Sequence, residues 1–130
     1  MHADILMCTT NAENSKHYSD GKFLDSSLEK YWCQRYDLFR EWESGILLDS
    51  EAWYSTTPVI IAEHQADVCL NLYGKRFCEQ TSVLVLDMFC GVGGNAIAFA
   101  KSGYKVIACD TDSTKLKMVT LRDYTEIQLI

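Results

Sequence analysis

The spacing of apolar residues changes character partway along the chain. Leu28, Trp32, Phe39 and Trp42 recur at helical intervals, and Ser26 followed by Glu29 has capping-box spacing, so one helix is expected over about residues 27–43, with Gly45 as its stop. A second helix is expected from "TTP", where the Thr57 hydroxyl caps the first turn and Pro58 supplies its fixed φ. Ile61, Val68 and Leu72 would form its inner face until Gly74, Lys75 and Arg76 close it. Beyond this point "SVLVLD" and "KVIACD" are short, continuously apolar and β-branched, the pattern of strands covered on both faces. Between them "NAIAFAKSG" reads as a helix closed by Gly103, and another helix starts near Asp112 or Ser113 and runs toward Tyr124. Strand, glycine loop, helix, strand, helix is the opening half of a doubly wound α/β sheet, with "EIQLI" as a candidate third strand. Residues 1–25 have no sustained period and read as a flexible lead-in. The expected division is therefore that segment, a helical extension over 26–80 and a partial α/β domain over 81–130.

Composition narrows the function classes. With 130 residues, 48% of them hydrophobic, one core is the most the chain can build. Its apolar runs fall far short of the roughly 20 residues of a membrane span, and "MHADILMCTTNAENSK" has neither the basic start nor the apolar core of a secretory signal, so the chain reads as an intracellular soluble protein. Cys8, Cys33, Cys69, Cys78, Cys90 and Cys109 are irregularly spaced with no C-x-x-C pair, which argues for reduced thiols and against a zinc site. A net charge of -6 argues against this stretch gripping a nucleic-acid backbone by itself, and any RNA contact is expected to be local.

The candidate chemistry lies in "LDMFCGVGGNAIAFA". Gly91, Gly93 and Asn95-Ala96 satisfy G-x-G-x-x-A, and the next strand ends in Asp110, whose carboxylate can accept both hydroxyls of a ribose. Glycines alone would also serve a tight strand-to-helix turn. The acid ahead of the loop discriminates between ligands: a pyrophosphate would bring negative charge close to Asp87, whereas S-adenosylmethionine brings an ammonium and a sulfonium and no phosphate. Asp87 therefore suits the cationic tail, Asp110 the ribose, and the bare backbone a close-lying adenosine. A nucleotide-dependent reductase is the competing reading.

"KYWCQRYDLFREWESGILLDSEAWYSTTPVIIAEH" followed by "VLDMFCGVGGNAIAFAKSGYKVIACDTDSTKLKM" resembles the trimethylguanosine synthase family, which dimethylates the exocyclic N2 amine of a 7-methylguanosine RNA cap. The resemblance covers about Lys30 to Met118. It implies an incomplete Rossmann-like, S-adenosylmethionine-dependent methyltransferase fold behind a helical extension, capped small nuclear and nucleolar RNA as partner, and a nuclear setting with some cytoplasmic cap modification. By the same resemblance Phe39 lines the adenosyl pocket, Thr57 reaches the cofactor, Asp87, Gly91, Gly93, Asn95 and Asp110 surround it, and Lys30 approaches the cap phosphates. Spacing alone also allows Phe39 as helix core, Thr57 as a cap and Lys30 as a solvated charge, while Trp32, Trp42 and Trp53 read as packing residues. His64 receives no catalytic role, because transfer from a sulfonium depends mainly on placing the amine against the methyl group.

Two departures stand beside the likeness. The family carries a Ser-Pro-Pro-Trp or Asn-Pro-Pro-Trp stretch for the target guanine, and Pro58 is the one proline here. The family's Asn-Asn-Ala element is replaced by Thr120, Leu121 and Arg122 in "TLRDYTEIQLI". The expectation is an incomplete or alternatively terminated product that holds the cofactor half of the site, is inactive by itself, is marginally stable and tends to associate. A non-catalytic interaction or cofactor-binding module, and a methyltransferase fragment with another substrate, stay open as alternatives.

Overall fold

In the computed structural model, which describes residues 18–19, 22–23, 27–44, 46, 48–74, 83–120 and 126–130, the chain divides into two units, Met1–Thr56 and Thr57–Ile130. Of the expected lead-in, the described part is an antiparallel pair, β1 (Tyr18–Ser19) with β2 (Lys22–Phe23), in which Tyr18 lies opposite Phe23. The rest of that segment lies outside the described residues, as do Ser26, Gly45, Lys75, Arg76 and the expected boundary near residue 80.

The single helix expected over 27–43 is instead two short ones, α1 (Glu29–Cys33) and α2 (Arg35–Leu38), followed by a 3-10 turn at Trp42–Ser44. Leu28, not Ser26, occupies the cap position of α1, and no side chain bonds there. The aromatic residues explain the break. A straight helix would separate Trp32 and Trp42 by about 15 Å along its axis, yet their rings meet edge-on at 5.7 Å. Turning at Gln34 (φ -97°, ψ 11°) and passing through extended Phe39 (φ -142°, ψ 119°) lets the chain fold back and bury Leu38, Phe39 and Trp42 together. Trp53, on α3 (Ala52–Ser55), completes the cluster at 5.2 Å from Trp42 and 6.0 Å from Trp32. The Ala52 N–H donates to the buried Asp49 carboxylate at 2.7 Å, which fixes the entry to α3. The three tryptophans thus pack on one another, which agrees with reading them as packing residues but not with the straight helix expected from their spacing.

In the second unit, α4 runs over Val59–Cys69 and ends in one wider turn, Leu70–Gly74. Its cap position is Pro58 (φ -53°, ψ 138°) and carries no side-chain hydrogen bond, so Thr57 stands one residue ahead of the cap instead of forming it. The expected inner face is also corrected. Ile61, Val68 and Leu72 are exposed, and the fully buried positions are Ala62 and Ala66. The reason is size: α4 packs on α5 (Gly94–Lys101), and small side chains such as Ala62 and Ala66 let two helices approach more closely than branched ones would permit.

The sheet is parallel, in the order β3 (Leu84–Asp87), β4 (Lys105–Ala108), β5 (Ile127–Leu129), so the candidate strand in "EIQLI" forms. Val85, Val106 and Ile127 are register partners on one face, where they meet Ala96, Ala100 and Phe99 of α5 and Leu116 of α6 (Ser113–Thr120). Both crossovers step one strand in the same direction, and right-handed connections then lay both helices on that face. The opposite face keeps Leu84 and Leu86 exposed, which corrects the expectation of a strand covered on both sides. Together these elements form a mixed α/β arrangement consistent with part of a methyltransferase Rossmann-like fold. Among the described residues no helix is long and apolar enough to cross a membrane, and no cluster of three His, Cys, Asp or Glu residues is arranged to hold a metal.

Candidate functional site

Parallel pairing brings the ends of β3 and β4 side by side, with Asp87 opposite Ala108. The two chains then stay bonded beyond the ladder: Cys109 N–H donates to the Asp87 carbonyl at 2.8 Å and Cys90 N–H to the Cys109 carbonyl at 2.9 Å. Asp110 takes over from there. Its Oδ2 accepts the Gly91 N–H at 2.8 Å and its Oδ1 the Asp112 N–H at 2.9 Å. Asp112 in turn accepts the Thr114 N–H at 2.8 Å and starts α6, and this N–H holds the Asp112 carboxyl below its ordinary range.

The loop closes tightly, with Gly93 N–H on the Cys90 carbonyl at 2.8 Å and Gly93 standing at the cap of α5. Gly91 (φ +53°) and Gly93 (φ +83°) both lie in the left-handed region, for different reasons. A Cβ on Gly93 would sit 3.0 Å from both methyl carbons of Val119 in α6. One on Gly91 would meet nothing within 4 Å, so the backbone there faces open space.

Asp87 is the unusual acid. One carboxylate oxygen, Oδ2, is buried and has no hydrogen-bond partner among the described residues. Burial raises its pKa above the ordinary carboxylate value; the charge of Asp110 pushes the same way, and the Phe89 N–H opposes both. A buried acceptor without a donor beside open backbone fits a cationic ligand, which would supply the missing partner. Cys90 is pushed up to about 11, first by burial and then by Asp87, Asp110 and Cys109, so it stays a thiol at neutral pH and is no nucleophile.

The structure therefore gathers Asp87, Gly91, Gly93 and Asp110 into one loop system. Asn95, in the first turn of α5, donates its side-chain amide to Gln65 of α4. Thr57 is half-buried ahead of α4 in the same unit. Phe39 and Lys30 belong to the other unit: Phe39 is buried in its core, and exposed Lys30 lies with its Nζ 4.6 Å from the Tyr31 ring centre. The inventory read from the sequence lacked Gln65, Phe89, Asp112 and Val119. Of these only Asp112 carried a signal, the acid-to-hydroxyl spacing of a helix start in "TDST".

Against the family of RNA cap guanine-N2 methyltransferases, residues 82–124 match, a span that includes the loop, both acids and α6. This segment is similar to that family. The chain is 38% identical over 95 residues to a trimethylguanosine synthase of Schizosaccharomyces pombe, an alignment covering 73% of this chain and 36% of that protein. It is 38% identical over 89 residues to the trimethylguanosine synthase of Saccharomyces cerevisiae, covering 68% and 25% respectively. A more distant match, 33% over 98 residues, is a ribosomal protein L11 methyltransferase of Campylobacter fetus, covering 75% of this chain and 31% of that one. The homologues are methyltransferases, which implies a methyl donor of the S-adenosylmethionine type. The alignments span about a third or less of the length of these curated relatives.

Proposed function

We propose that the chain forms the cofactor-binding part of an S-adenosylmethionine-dependent RNA cap guanine-N2 methyltransferase, one that takes 7-methylguanosine caps of small nuclear and nucleolar RNA to the 2,2,7-trimethyl form in the nucleus. The observation that carries this reading is the unpartnered Asp87 oxygen beside the open backbone of Gly91. Asp87 receives the ammonium of the amino-acid tail, Gly91 and Gly93 keep the backbone bare where adenosine lies, and Asp110 holds the loop while its remaining lone pairs face the ribose hydroxyls. S-Adenosylmethionine supplies an activated methyl group when bound. The second unit's contribution is orientation, with Thr57 as a further cofactor contact.

Calorimetric titration with S-adenosylmethionine, and with NAD as comparator, tests the reading, followed by methyl transfer to capped RNA. Binding of NAD in preference to S-adenosylmethionine would overturn it, and no affinity for either would favour a pure interaction module. The pH dependence supplies a signature. A cation needs ionised Asp87, so affinity is full above the Asp87 pKa and falls as pH drops through it, beginning above the ordinary value of 3.8. Stability moves the opposite way: a carboxyl whose pKa is raised by folding is relieved by protonation, so its contribution is present at low pH and is lost as pH rises through the folded pKa. Asp87→Asn should flatten the affinity profile in that window. A profile identical to wild type would remove Asp87 from the cation site.

A further inference from the structure

The apolar row that spacing assigns to the inside of α4 lies outside. Ile61, Val68 and Leu72 are 48%, 40% and 61% exposed, and Ile60 beside them is 67% exposed. Exposed Gln65 completes the row at intervals of four, three and four residues, the spacing of a helix side that packs on a second helix. The row carries no carboxylate: with 3.6 residues per turn, Glu63 and Asp67 fall well round the helix from Ile61 and Val68. It is also self-complementary. When two copies of α4 cross antiparallel about the midpoint between His64 and Gln65, Ile61 of each copy faces Val68 of the other, and His64 faces Gln65, the reciprocal pairing of a two-fold interface. Gln65 accepts the Asn95 amide on its Oε1, which leaves its NH2 group to donate to the imidazole opposite.

We propose that this side of α4 is a homodimer interface, in which two copies of the chain cover each other's row from Ile61 to Leu72. A second copy fits better than a charged helix of another protein, because the row offers no charge to select one and matches itself residue for residue. Its exposed apolar side chains amount to an area on the order of 400 Å² per copy. That is close to the apolar share of an interface of about 800 Å² per partner, so the dimer is reversible, with micromolar affinity. The proposal stands apart from the cofactor reading, and the open sheet face with Leu84 and Leu86 is the rival surface.

Sedimentation equilibrium of the full chain over about 1–200 μM tests it. Wild type should pass from monomer to dimer and stop there. Ile61→Glu and Val68→Lys each place an unpaired charge against an apolar side chain, so each should raise the dissociation constant by about a hundredfold or more. An equimolar mixture of the two variants should recover a dimer, because the introduced carboxylate of one chain then meets the introduced ammonium of the other. At low concentration, where wild type is also monomeric, both variants should melt like wild type, since these exposed positions contribute little packing to the monomer. Leu84→Lys and Leu86→Lys should leave the dimer intact. A wild type that stays monomeric throughout overturns the proposal and leaves the row to another occupant, a further segment of a longer chain or an unrelated protein. Open-ended aggregation, or a dimer that survives Ile61→Glu and Val68→Lys and is lost in Leu84→Lys, overturns it in favour of the sheet. A mixture that fails to pair overturns the antiparallel register.

Discussion

Asp110→Ala is expected to remove cofactor binding, with affinity down by at least about a hundredfold, and to destabilise the second unit by about 3 kcal/mol. The magnitude follows from what the carboxylate holds. Each oxygen accepts a backbone N–H, one from the glycine loop and one from the start of α6, and hydrogen bonds to a charged group contribute about 1.5–3 kcal/mol each. Without the acid, the Gly91 N–H loses its partner and the loop keeps only the Cys90 N–H bond to the Cys109 carbonyl as a tie to the end of β4. Asp110→Asn sharpens the test. The amide keeps one acceptor oxygen but turns an NH2 group toward the other donor, so it should rescue little of the loss. Full rescue by asparagine would mean that neither the second acceptor nor the charge matters, and the account of the loop would fail. Urea unfolding and calorimetry on the same samples separate the stability effect from the affinity effect.

That role was only half legible beforehand. An acid at the end of the second strand points to a ribose by its position alone, and nothing in "KVIACD" says that the same carboxylate also holds the glycine loop; parallel register decides this by carrying Asp110 to Gly91. The strands and the loop were legible because continuous β-branched runs and glycine before a helix are local signals. The helices of the first unit were misread because the signal there was not local: the demand that Trp32, Trp42 and Trp53 share one cluster overrides helical spacing. On α4 the error was to rank positions by hydrophobicity when proximity to α5 selects for small side chains, which put Ala62 and Ala66 inside and left Ile61 outside. Asp87 is visible in the sequence as the acid ahead of the glycines, yet the oxygen it leaves without a partner among the described residues depends on burial that no spacing rule conveys.

The two loop glycines should respond to the same substitution in opposite ways, and Gly93→Ala carries the larger stability effect. At φ +83° an alanine meets the left-handed penalty of roughly 1–2 kcal/mol. Its methyl group also lands 3.0 Å from two carbons of buried Val119, an overpacking that typically costs about 1–3 kcal/mol. The sum, about 2–5 kcal/mol, is a large fraction of the stability of a small domain. Val119→Ala removes the steric part and leaves the dihedral part, so the double variant should be more stable than the two single losses added together, by about 1 kcal/mol or more. At Gly91 the added methyl meets nothing in the protein, so Gly91→Ala should lower stability only by its dihedral penalty while filling the space assigned to the ligand. Thermal melts and cofactor titrations of the four variants would therefore sort Gly93 with folding and Gly91 with binding. Additive behaviour of Gly93→Ala and Val119→Ala would show that α6 does not constrain the loop through that contact, and would remove the packing explanation for the second glycine.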